Sequence, residues 1–326
     1  MRAWRVHELG EPQDVMRLDE VPVPEPGPGQ IRIKIASAAL NFPDILLCQG
    51  LYQERPPLPF TPGIEVAGTV DAAGQGAESR VGERVSATPV LPDGGLAEYV
   101  VVPAEAALPI PDEMSTQVGA SMLITYQTGY VGLHRRAGLQ KDETLLVHAG
   151  AGGVGSAAIQ LGRAAGARVI ATAGGAKKVE TCRKLGAHTV IDYETEDFVE
   201  AVKEETGGRG ADVIYDPVGG DVFDGSRRCV AFEGRLLVVG FAGGQIPQVP
   251  AGHVLVKNYS VVGLHWGLYR AKDPSVVTAT HHALMDLFSE GKIDPLIDAV
   301  LPLDQAPSAL GRLGARQTVG KTVLTP

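Results

Sequence analysis

Cysteine is scarce in this chain, which has only Cys48, Cys182 and Cys229 among 326 residues. None of the three lies within a few residues of another, and this excludes a disulfide framework and a CxxC or Cys-rich zinc site. The first eight residues also lack the apolar core of a signal peptide. These features together predict a cytoplasmic protein.

Long apolar runs and excess positive charge are missing as well. No stretch of 18 or more apolar residues occurs, so we expect no membrane-spanning segment. The formal net charge is −9, and an acidic chain lacks the clustered Lys and Arg that a nucleic-acid surface needs. A hydrophobic content of 44% fits a globular protein with one large or two medium domains.

Glycine, in contrast, is abundant, with 41 residues beside 23 prolines. The glycines follow no G-x-y period, which excludes a collagen-like chain. We expect them at tight turns and at places where the backbone closely approaches another group.

The first hundred residues have the pattern of short strands separated by Gly and Pro turns. Residues 30–36 (QIRIKIA) alternate polar and apolar side chains, as a half-buried strand does, and residues 65–72, 84–87 and 98–102 are further candidate strands. Four prolines at 21–29 predict an extended segment there. This part of the chain therefore predicts a barrel-like β domain.

Beyond Thr116 the pattern changes to alternating strands and helices. Strands are predicted at residues 144–149, 168–173, 188–191, 211–215 and 235–240, with a sixth at 260–264, and helices at 154–165, 177–185, 197–205 and, more weakly, 222–230. Repeated βαβ units predict a parallel sheet covered by helices on both faces. A helix at 281–290 and a last strand at 321–324 could return to the first domain and make it discontinuous.

The most informative motif is the glycine-rich segment 150–155 (GAGGVG). It matches G-x-G-x-x-G, follows an apolar strand and opens a helix, which is the context that a dinucleotide-binding turn requires. The turn leaves no side chain between the backbone and a pyrophosphate, and the helix N-terminus supplies free N–H groups. The alternative is a tight strand-to-helix turn without a ligand.

The end of the second strand indicates which dinucleotide would bind. NAD enzymes usually carry an acid there for the ribose hydroxyls, whereas residues 171–176 (ATAGGA) are small and are followed by Lys177 and Lys178. Lysines at a helix N-terminus are unfavourable next to the helix dipole unless an anion is present. The pattern favours NADP(H) and its 2′-phosphate, although the lysines could also be a solvated first helical turn.

Several segments together resemble the zinc-independent quinone oxidoreductase (ζ-crystallin-like) branch of the medium-chain dehydrogenase/reductase superfamily. The resemblance rests on residues 39–44 (ALNFPD), 50–52 (GLY), 58–68 (LPFTPGIEVAG), 148–155 (HAGAGGVG) with 160–161 (QL), and 318–324 (TVGKTVL). It covers the whole chain. It implies a Rossmann doubly wound parallel sheet at 119–266 that binds NADP, and a GroES-like β-barrel catalytic domain built from 1–118 and 267–326.

The family pattern also bears on zinc. Zinc-dependent relatives have a Cys where this chain has Asn41, a His where Ile64 precedes Glu65, and a four-cysteine loop where residues 88–98 have no cysteine. The resemblance therefore implies an enzyme without metal. Adjacent His281 and His282 on a helix point apart and are interpreted as surface or packing residues.

The resemblance implies the following roles. Asn41 would lie beside the nicotinamide and bond a substrate oxygen, Tyr52 would line the substrate mouth, and Thr125 would lie near the nicotinamide. Each has a plainer alternative: a helix cap, a packed loop tyrosine and an ordinary helix threonine. Asp44 and Glu65 are interpreted as structural. The remaining expected cofactor contacts are Gly152, Gly153, Val154, Gly155, Gly174, Lys178, Tyr193, Phe241, Gly243 and Arg316, of which Arg316 could equally be a surface residue.

Without a metal to polarise a carbonyl, the acceptor should already be electrophilic. The expected function is an NADPH-dependent quinone oxidoreductase, with a quinone or an α,β-unsaturated carbonyl as the small-molecule partner. Two alternatives stay open: an enoyl or 2-alkenal reductase, and an NADPH-binding scaffold with a protein partner. The apolar sixth strand would lie at a sheet edge, and because exposed edges invite pairing and relatives pair there, we expect a homodimer or a tetramer.

Overall fold

The structure is a computed structural model that describes residues 1–326. The chain forms two compact units. The first unit contains Met1–Ile124 and Pro295–Pro326, and the second unit contains Thr125–Asp294. Each is described separately below.

The regular elements are numbered along the chain. The strands are β1 (Arg2–Val6), β2 (Met16–Glu20), β3 (Gln30–Ala39), β4 (Val66–Ala73), β5 (Arg84–Ala87), β6 (Tyr99–Pro103), β7 (Ala107–Pro109), β8 (Thr144–Val147), β9 (Arg168–Ala173), β10 (Thr189–Asp192), β11 (Ala211–Asp216), β12 (Val230–Val238), β13 (Ser260–Gly263), β14 (Ile297–Pro302) and β15 (Lys321–Thr325). The helices are α1 (Pro12–Val15), α2 (Phe42–Cys48), α3 (Thr116–Ala120), α4 (Thr125–Tyr130), α5 (Gly153–Ala164), α6 (Ala176–Lys184), α7 (Phe198–Glu205), α8 (Gly220–Cys229), α9 (Ala251–Lys257), α10 (Gly267–Lys272), α11 (Pro274–Ser289) and α12 (Ala306–Gly314).

The first unit is organised around β3. A seven-stranded sheet has the order β14-β15-β3-β4-β5-β7, and β6 pairs with the first half of β3. The alternation predicted for this strand is present, since Ile31, Ile33 and Ile35 are buried in the core of the unit. The end of β3 pairs with β15 through Ala38 and Ala39, so the last strand of the chain belongs to the first unit.

The second unit is a six-stranded parallel sheet with the order β10-β9-β8-β11-β12-β13. The chain starts in the middle at β8, moves outward to β10 and then returns to the other side of β8 at β11. This is the doubly wound dinucleotide-binding arrangement, whose ligands bind at the carboxyl ends of the strands where the order reverses. The predicted Rossmann fold is confirmed, and β13 lies at a sheet edge as expected.

The compact units divide the chain at positions that differ from the expected domain ends. The breaks fall after Ile124 and after Asp294, whereas 118/119 and 266/267 were expected. Helices α10 and α11 account for the later break, because several hydrogen bonds hold the segment 266–294 to the second unit, and two of them lie at its ends. Trp266 Nε1 donates to Gln127 Oε1 at 3.1 Å, and the Asp294 amide donates to Gln160 Oε1 at 2.6 Å.

Most predicted elements are present with bounds close to the predicted ones, but two of them begin well before the predicted residue. The helix predicted at 281–290 begins earlier, at Pro274, because proline suits the first helical turn. The strand predicted at 235–240 begins at Val230. On α11, His281 is buried and His282 is exposed. None of the helices has the length and apolar character needed to span a bilayer.

Candidate functional sites in the two units

The segment 149–155, called here the glycine turn, joins β8 to α5 at the carboxyl end of β8. The Ala149 backbone has φ +51°, a left-handed conformation that is uncommon for alanine. The Gly150 amide donates to Thr172 O at 2.8 Å, and the Gly152 amide donates to Ala149 O at 2.9 Å. These bonds hold the chain in a tight bend directly before the helix begins at Gly153.

The glycines of this turn are required for different physical reasons. A Cβ on Gly155 would overlap the Ala149 carbonyl oxygen, so this position must lack a side chain for the turn to close. A Cβ on Gly152 would lie 3.3 Å from the same oxygen, so an alanine there is tight but the fold can accommodate it. The first amides of α5 have no acceptor within the helix and face an open backbone surface. The turn can therefore hold an anion such as a pyrophosphate.

The residue directly before the glycine turn is the buried His148, whose ring makes two hydrogen bonds. His148 Nε2 lies 2.8 Å from Ser226 Oγ, and Nδ1 lies 3.0 Å from Thr172 Oγ1. Because the Ser226 hydroxyl already donates to Val222 O, it accepts from Nε2–H, and Nδ1 accepts from Thr172. Burial lowers the pKa of His148 to about 3, so the ring is neutral and ties β8, β9 and α8 together.

Residues at the end of β9 and β10 form the next part of the site. Tyr193 and Glu194 follow β10, and their side chains reach the loop after β9: a Cβ on Gly174 would lie 2.6 Å from Tyr193 Oη and 2.8 Å from Glu194 Oε1. Lys178 lies in the first turn of α6, where its amide donates to Gly175 O at 3.1 Å. The predicted residues Gly174, Lys178 and Tyr193 thus all lie near the carboxyl ends of β9 and β10.

The structure modifies one premise of the coenzyme prediction. No acid ends β9, as the sequence shows, but acids from the end of β10 approach the same loop. Asp192 Oδ1 accepts from the Gly175 amide at 3.0 Å, and Glu194 lies beside Gly174. Negative charge is therefore present where the sequence shows only small residues and lysines.

The predicted residues Phe241 and Gly243 lie in the loop after β12. Backbone bonds attach this loop to the one after β11: the Ala242 amide donates to Pro217 O at 3.0 Å, and the Gly243 amide donates to Val218 O at 2.9 Å. Both loops leave the carboxyl ends of neighbouring parallel strands. Thr125, the first residue of α4, is also in the second unit and is buried.

In the first unit, Asn41 lies directly before α2 with both of its amide hydrogens in use. Its Nδ2 donates to Ala39 O at 3.1 Å and to Glu65 Oε2 at 3.0 Å. Its Oδ1 accepts from Lys321 Nζ at 2.6 Å. The reversed amide orientation would set Nδ2 against the Lys321 ammonium, so these partners fix the orientation. Asn41 could therefore offer a ligand an acceptor but no unused N–H.

Asn41, Asp44, Glu65 and Lys321 form one buried group, called here the polar cluster. Lys321 Nζ donates to Glu65 Oε2 at 2.9 Å, to Leu40 O at 2.9 Å and to Asn41 Oδ1. Its three N–H groups thus have three acceptors. The side chains of Lys321 and Glu65 are 4% and 0% exposed, and Glu65 Oε1 accepts from the Ile124 amide at 2.9 Å. The ammonium is the cation of this cluster.

Asp44 closes the N-terminus of α2. Its Oδ2 accepts from the Asn41 amide at 2.8 Å, and its Oδ1 accepts from the Gly63 amide at 3.0 Å. Burial raises the pKa of Asp44 to about 6, while these two amides and Lys321 oppose the rise. The carboxyl group connects the start of α2 to the segment before β4.

Two predicted residues of the first unit lie outside the polar cluster. Tyr52 is half-buried and packs against the core of the unit. Arg316 is exposed, with φ +59°, in the loop between α12 and β15. Sequence reasoning missed Lys321, whose segment 318–324 was interpreted only as a closing strand, and it did not assign His148 a role.

No three His, Cys, Asp or Glu side chains come together in a way that could hold a metal ion. The residues beside the buried Glu65 are an amide and an ammonium. Neither of these is a ligand that zinc prefers.

Comparison with known families gives two matches along the chain. The family model described as the alcohol dehydrogenase GroES-like domain matches residues 27–112, and that described as zinc-binding dehydrogenase matches residues 153–289. The second description names zinc, but this structure has no group of three or more His, Cys, Asp or Glu side chains that could hold a metal ion.

Comparison with individual proteins gives similarity over the full length. The quinone oxidoreductase-like protein 2 homolog of Nematostella vectensis is 40% identical over 326 residues, which is 99% of this chain and 88% of the relative. The quinone oxidoreductase of Escherichia coli, solved in complex with NADPH, is 31% identical with a TM-score of 0.93 and covers 100% of both chains.

A third protein, the enoyl reductase CurK, is 27% identical with a TM-score of 0.88, over 99% of this chain and 98% of that one. The two family models and the similarity over the whole length point to the same family. The chain belongs to the zinc-independent quinone oxidoreductase branch of the medium-chain dehydrogenase/reductase superfamily.

Proposed function

We propose that the protein is an NADPH-dependent oxidoreductase that passes reducing equivalents to a quinone without using a metal. The observation that carries the proposal is the glycine turn at the carboxyl end of β8, where Gly155 packs against the Ala149 carbonyl oxygen with no room for a Cβ. When bound, the nicotinamide supplies the hydride. The protein's own residues bind and orient the reactants.

The second unit fits a dinucleotide. The first amides of α5 can donate hydrogen bonds to the pyrophosphate, and the dipole of α5 favours that negative charge. Gly174, Tyr193 and Lys178 would hold the adenosine ribose and its phosphate at the end of β9, where dinucleotide folds place the ribose. Phe241 and Gly243, after β12, would bound the site on its other side. Arg316 is proposed as a further coenzyme contact.

The polar cluster supports the choice of acceptor. Both Nδ2 hydrogens of Asn41 and all three N–H groups of Lys321 already have acceptors. The cluster therefore has no spare donor with which to polarise an ordinary ketone. A quinone needs no such help because it is already electrophilic. We propose that the Tyr52 and Thr125 hydroxyls each contact the bound reactants. Asn41 Oδ1 could accept a hydrogen bond only from a donor, such as the carboxamide N–H of the nicotinamide or the O–H of the hydroquinone product.

The test is a steady-state assay of NADPH oxidation with several acceptors. We expect turnover with 1,4-benzoquinone and 9,10-phenanthrenequinone that exceeds turnover with an alkenal or an enoyl-CoA. Turnover of the enoyl-CoA alone would overturn the quinone proposal. Tight NADPH binding without oxidation by any acceptor would instead favour a coenzyme-holding scaffold with a protein partner.

An enoyl or 2-alkenal reductase is the second candidate, and the similarity to CurK favours it. Both reactions require an acceptor that is electrophilic before it binds. Tyr52→Phe and Thr125→Val help to separate them. If one of these hydroxyls donates the proton to the carbon of an enoyl substrate, its removal should lower kcat for that substrate and change KM little. Turnover of a quinone should stay the same, because a quinone needs no such proton donor.

We also propose a homodimer that pairs through β13. This strand lies at the edge of the sheet, and unpaired edges favour association. Helix α9 lies just before it in the chain and exposes Leu255 and Val256 at 80% and 84%. Light scattering after gel filtration should give twice the chain mass, and Val256→Glu should shift it to one chain. A tetramer would extend the proposal, and a monomeric wild type would overturn it.

A further inference from the structure

The loop after β9 contains a negative charge that does not suit a phosphate site. Glu194 is exposed, and its Oε1 lies 2.8 Å from the position of a Cβ on Gly174, with Oε2 3.6 Å from that of a Cβ on Gly175. Dinucleotide folds place the ribose 2′-oxygen at the end of this second strand. Glu194 therefore lies where the 2′-substituent of a bound coenzyme would be.

The backbone around Glu194 is fixed rather than loose. Asp192 Oδ1 accepts both from the Glu194 amide at 3.1 Å and from the Gly175 amide at 3.0 Å. The Tyr193 amide donates to Ala173 O at 3.2 Å. The bonds of the Gly175 and Tyr193 amides join the end of β10 to the end of β9, and the bond of the Glu194 amide lies within the segment after β10. The backbone that carries Glu194 is thus held beside the loop that contains Gly174 and Gly175.

We propose that Glu194 determines coenzyme selectivity by limiting the preference of this site for the 2′-phosphorylated coenzyme. The proposal rests on the proposed function. A carboxylate accepts a hydrogen bond from a ribose 2′-hydroxyl, as the acid of an NAD site does. The same carboxylate repels a 2′-phosphate, which carries nearly two negative charges.

Two lysines act in the opposite direction. Lys177 and Lys178 are in the first turn of α6, which starts directly after Gly175, and their charges attract a phosphate. The site therefore combines an acid after β10, which is typical of NAD sites, with lysines in the first turn of α6, which are typical of NADP sites. Such a site binds both NADPH and NADH, with a modest ratio between the two affinities. Glu194 is the residue that keeps this ratio modest.

The experiment measures the dissociation constants of NADPH and NADH by fluorescence titration for the wild type and Glu194→Gln. Removal of a charge a few ångströms from a phosphate should tighten NADPH about tenfold, since Coulomb energies at that distance in a wet site amount to about one factor of ten. NADH should bind equally or slightly more weakly. The gain for NADPH should shrink at high salt.

The matched control is Glu204→Gln, which removes the same charge near the end of α7. That helix starts after β10 and runs back towards the opposite edge of the sheet, so the ratio of affinities should stay at the wild-type value. As a second probe, 2′,5′-ADP should gain affinity on Glu194→Gln and 5′-AMP should not. This separates the 2′-phosphate from the rest of the coenzyme.

The outcomes distinguish this inference from the proposed function. An unchanged NADPH to NADH ratio in Glu194→Gln, with both coenzymes still bound, overturns the role of Glu194 and leaves the oxidoreductase standing. The same gain in Glu204→Gln would also overturn it, because the effect would then come from net charge. Wild-type protein that binds neither coenzyme overturns both proposals together.

Discussion

The polar cluster of the first unit consists of charged and amide side chains, whereas the glycine turn of the second unit consists of backbone from which side chains are missing. In the polar cluster, every N–H of the Lys321 ammonium and of the Asn41 side-chain amide already has an acceptor. In the glycine turn, the first amides of α5 have no acceptor within the helix. One site is complete without a ligand, and the other has hydrogen-bonding groups available for one.

This difference shows where binding free energy can arise. A buried ion pair contributes little net stability but is costly to break, so the polar cluster maintains geometry. Open amides at a helix start gain most when an anion arrives, so the glycine turn provides affinity. Mutations should therefore affect folding in the first unit and ligand binding in the second.

The largest expected effect is on the buried ion pair. Lys321→Met removes the cation beside Glu65 and the donor to Asn41, which should lower the free energy of unfolding by about 3–5 kcal/mol. Urea denaturation measures it. The double variant Lys321→Met/Glu65→Gln should recover part of the loss, because no buried charge is then unpaired. A loss below about 1 kcal/mol in the single variant would contradict the description of this pair.

The next effect is the pH dependence of Asp44. Its pKa is raised from 3.8 to about 6 in the folded chain, so folding favours the protonated form. As the pH rises from below 3.8 to above about 6, the Asp44 carboxyl loses its proton at lower pH in the unfolded chain than in the folded chain. The free energy of unfolding of the wild type should therefore fall by up to about 3 kcal/mol relative to that of Asp44→Asn. Urea unfolding of both proteins at several pH values gives the difference, and a flat difference would contradict the raised pKa.

The second unit should show the opposite slope through His148. Burial lowers its pKa from 6.5 to about 3, so only the unfolded chain takes up a proton as pH falls below 6.5. The stability of the wild type relative to His148→Gln should then fall by about 2 kcal/mol between pH 7 and pH 5. A difference that rises towards low pH would contradict the neutral, hydrogen-bonded ring.

The smallest effect on stability is expected at the glycine turn. Gly152→Ala has an allowed backbone conformation, φ −82°, and should change the free energy of unfolding by less than about 1 kcal/mol. It places a methyl group between the backbone and the coenzyme pyrophosphate, so NADPH affinity should fall at least about tenfold. The control is Gly252→Ala, on exposed α9 with open space around it, where NADPH affinity should be unchanged.

The second unit was the easier part to predict from sequence. Its strands are short buried apolar runs, such as β8 with all four residues buried, and the helices between them have regular spacing. The glycine turn was visible because its backbone requirement places glycines at fixed positions. The elements of the first unit that were not predicted include β1, β2, α12 and β14, of which β14 is only partly buried and has no strict alternation.

The polar cluster was not predictable in the same way. Glu65 and Lys321 are 256 residues apart, and neither segment carries a local signal that it meets the other. Lys321 on its own is an ordinary lysine before an apolar strand. A contact of this kind depends on the tertiary fold and shows in sequence only when both partners belong to one short motif.

The position of Lys321 also has a consequence for the order of synthesis. The buried carboxylate of Glu65 has no cation until residue 321 has left the ribosome, and β3 lacks its neighbour β15 until then. The second unit, complete at Asp294, can fold while the first unit is still waiting for its last strand. The first unit therefore begins synthesis before the second unit but completes its fold after it.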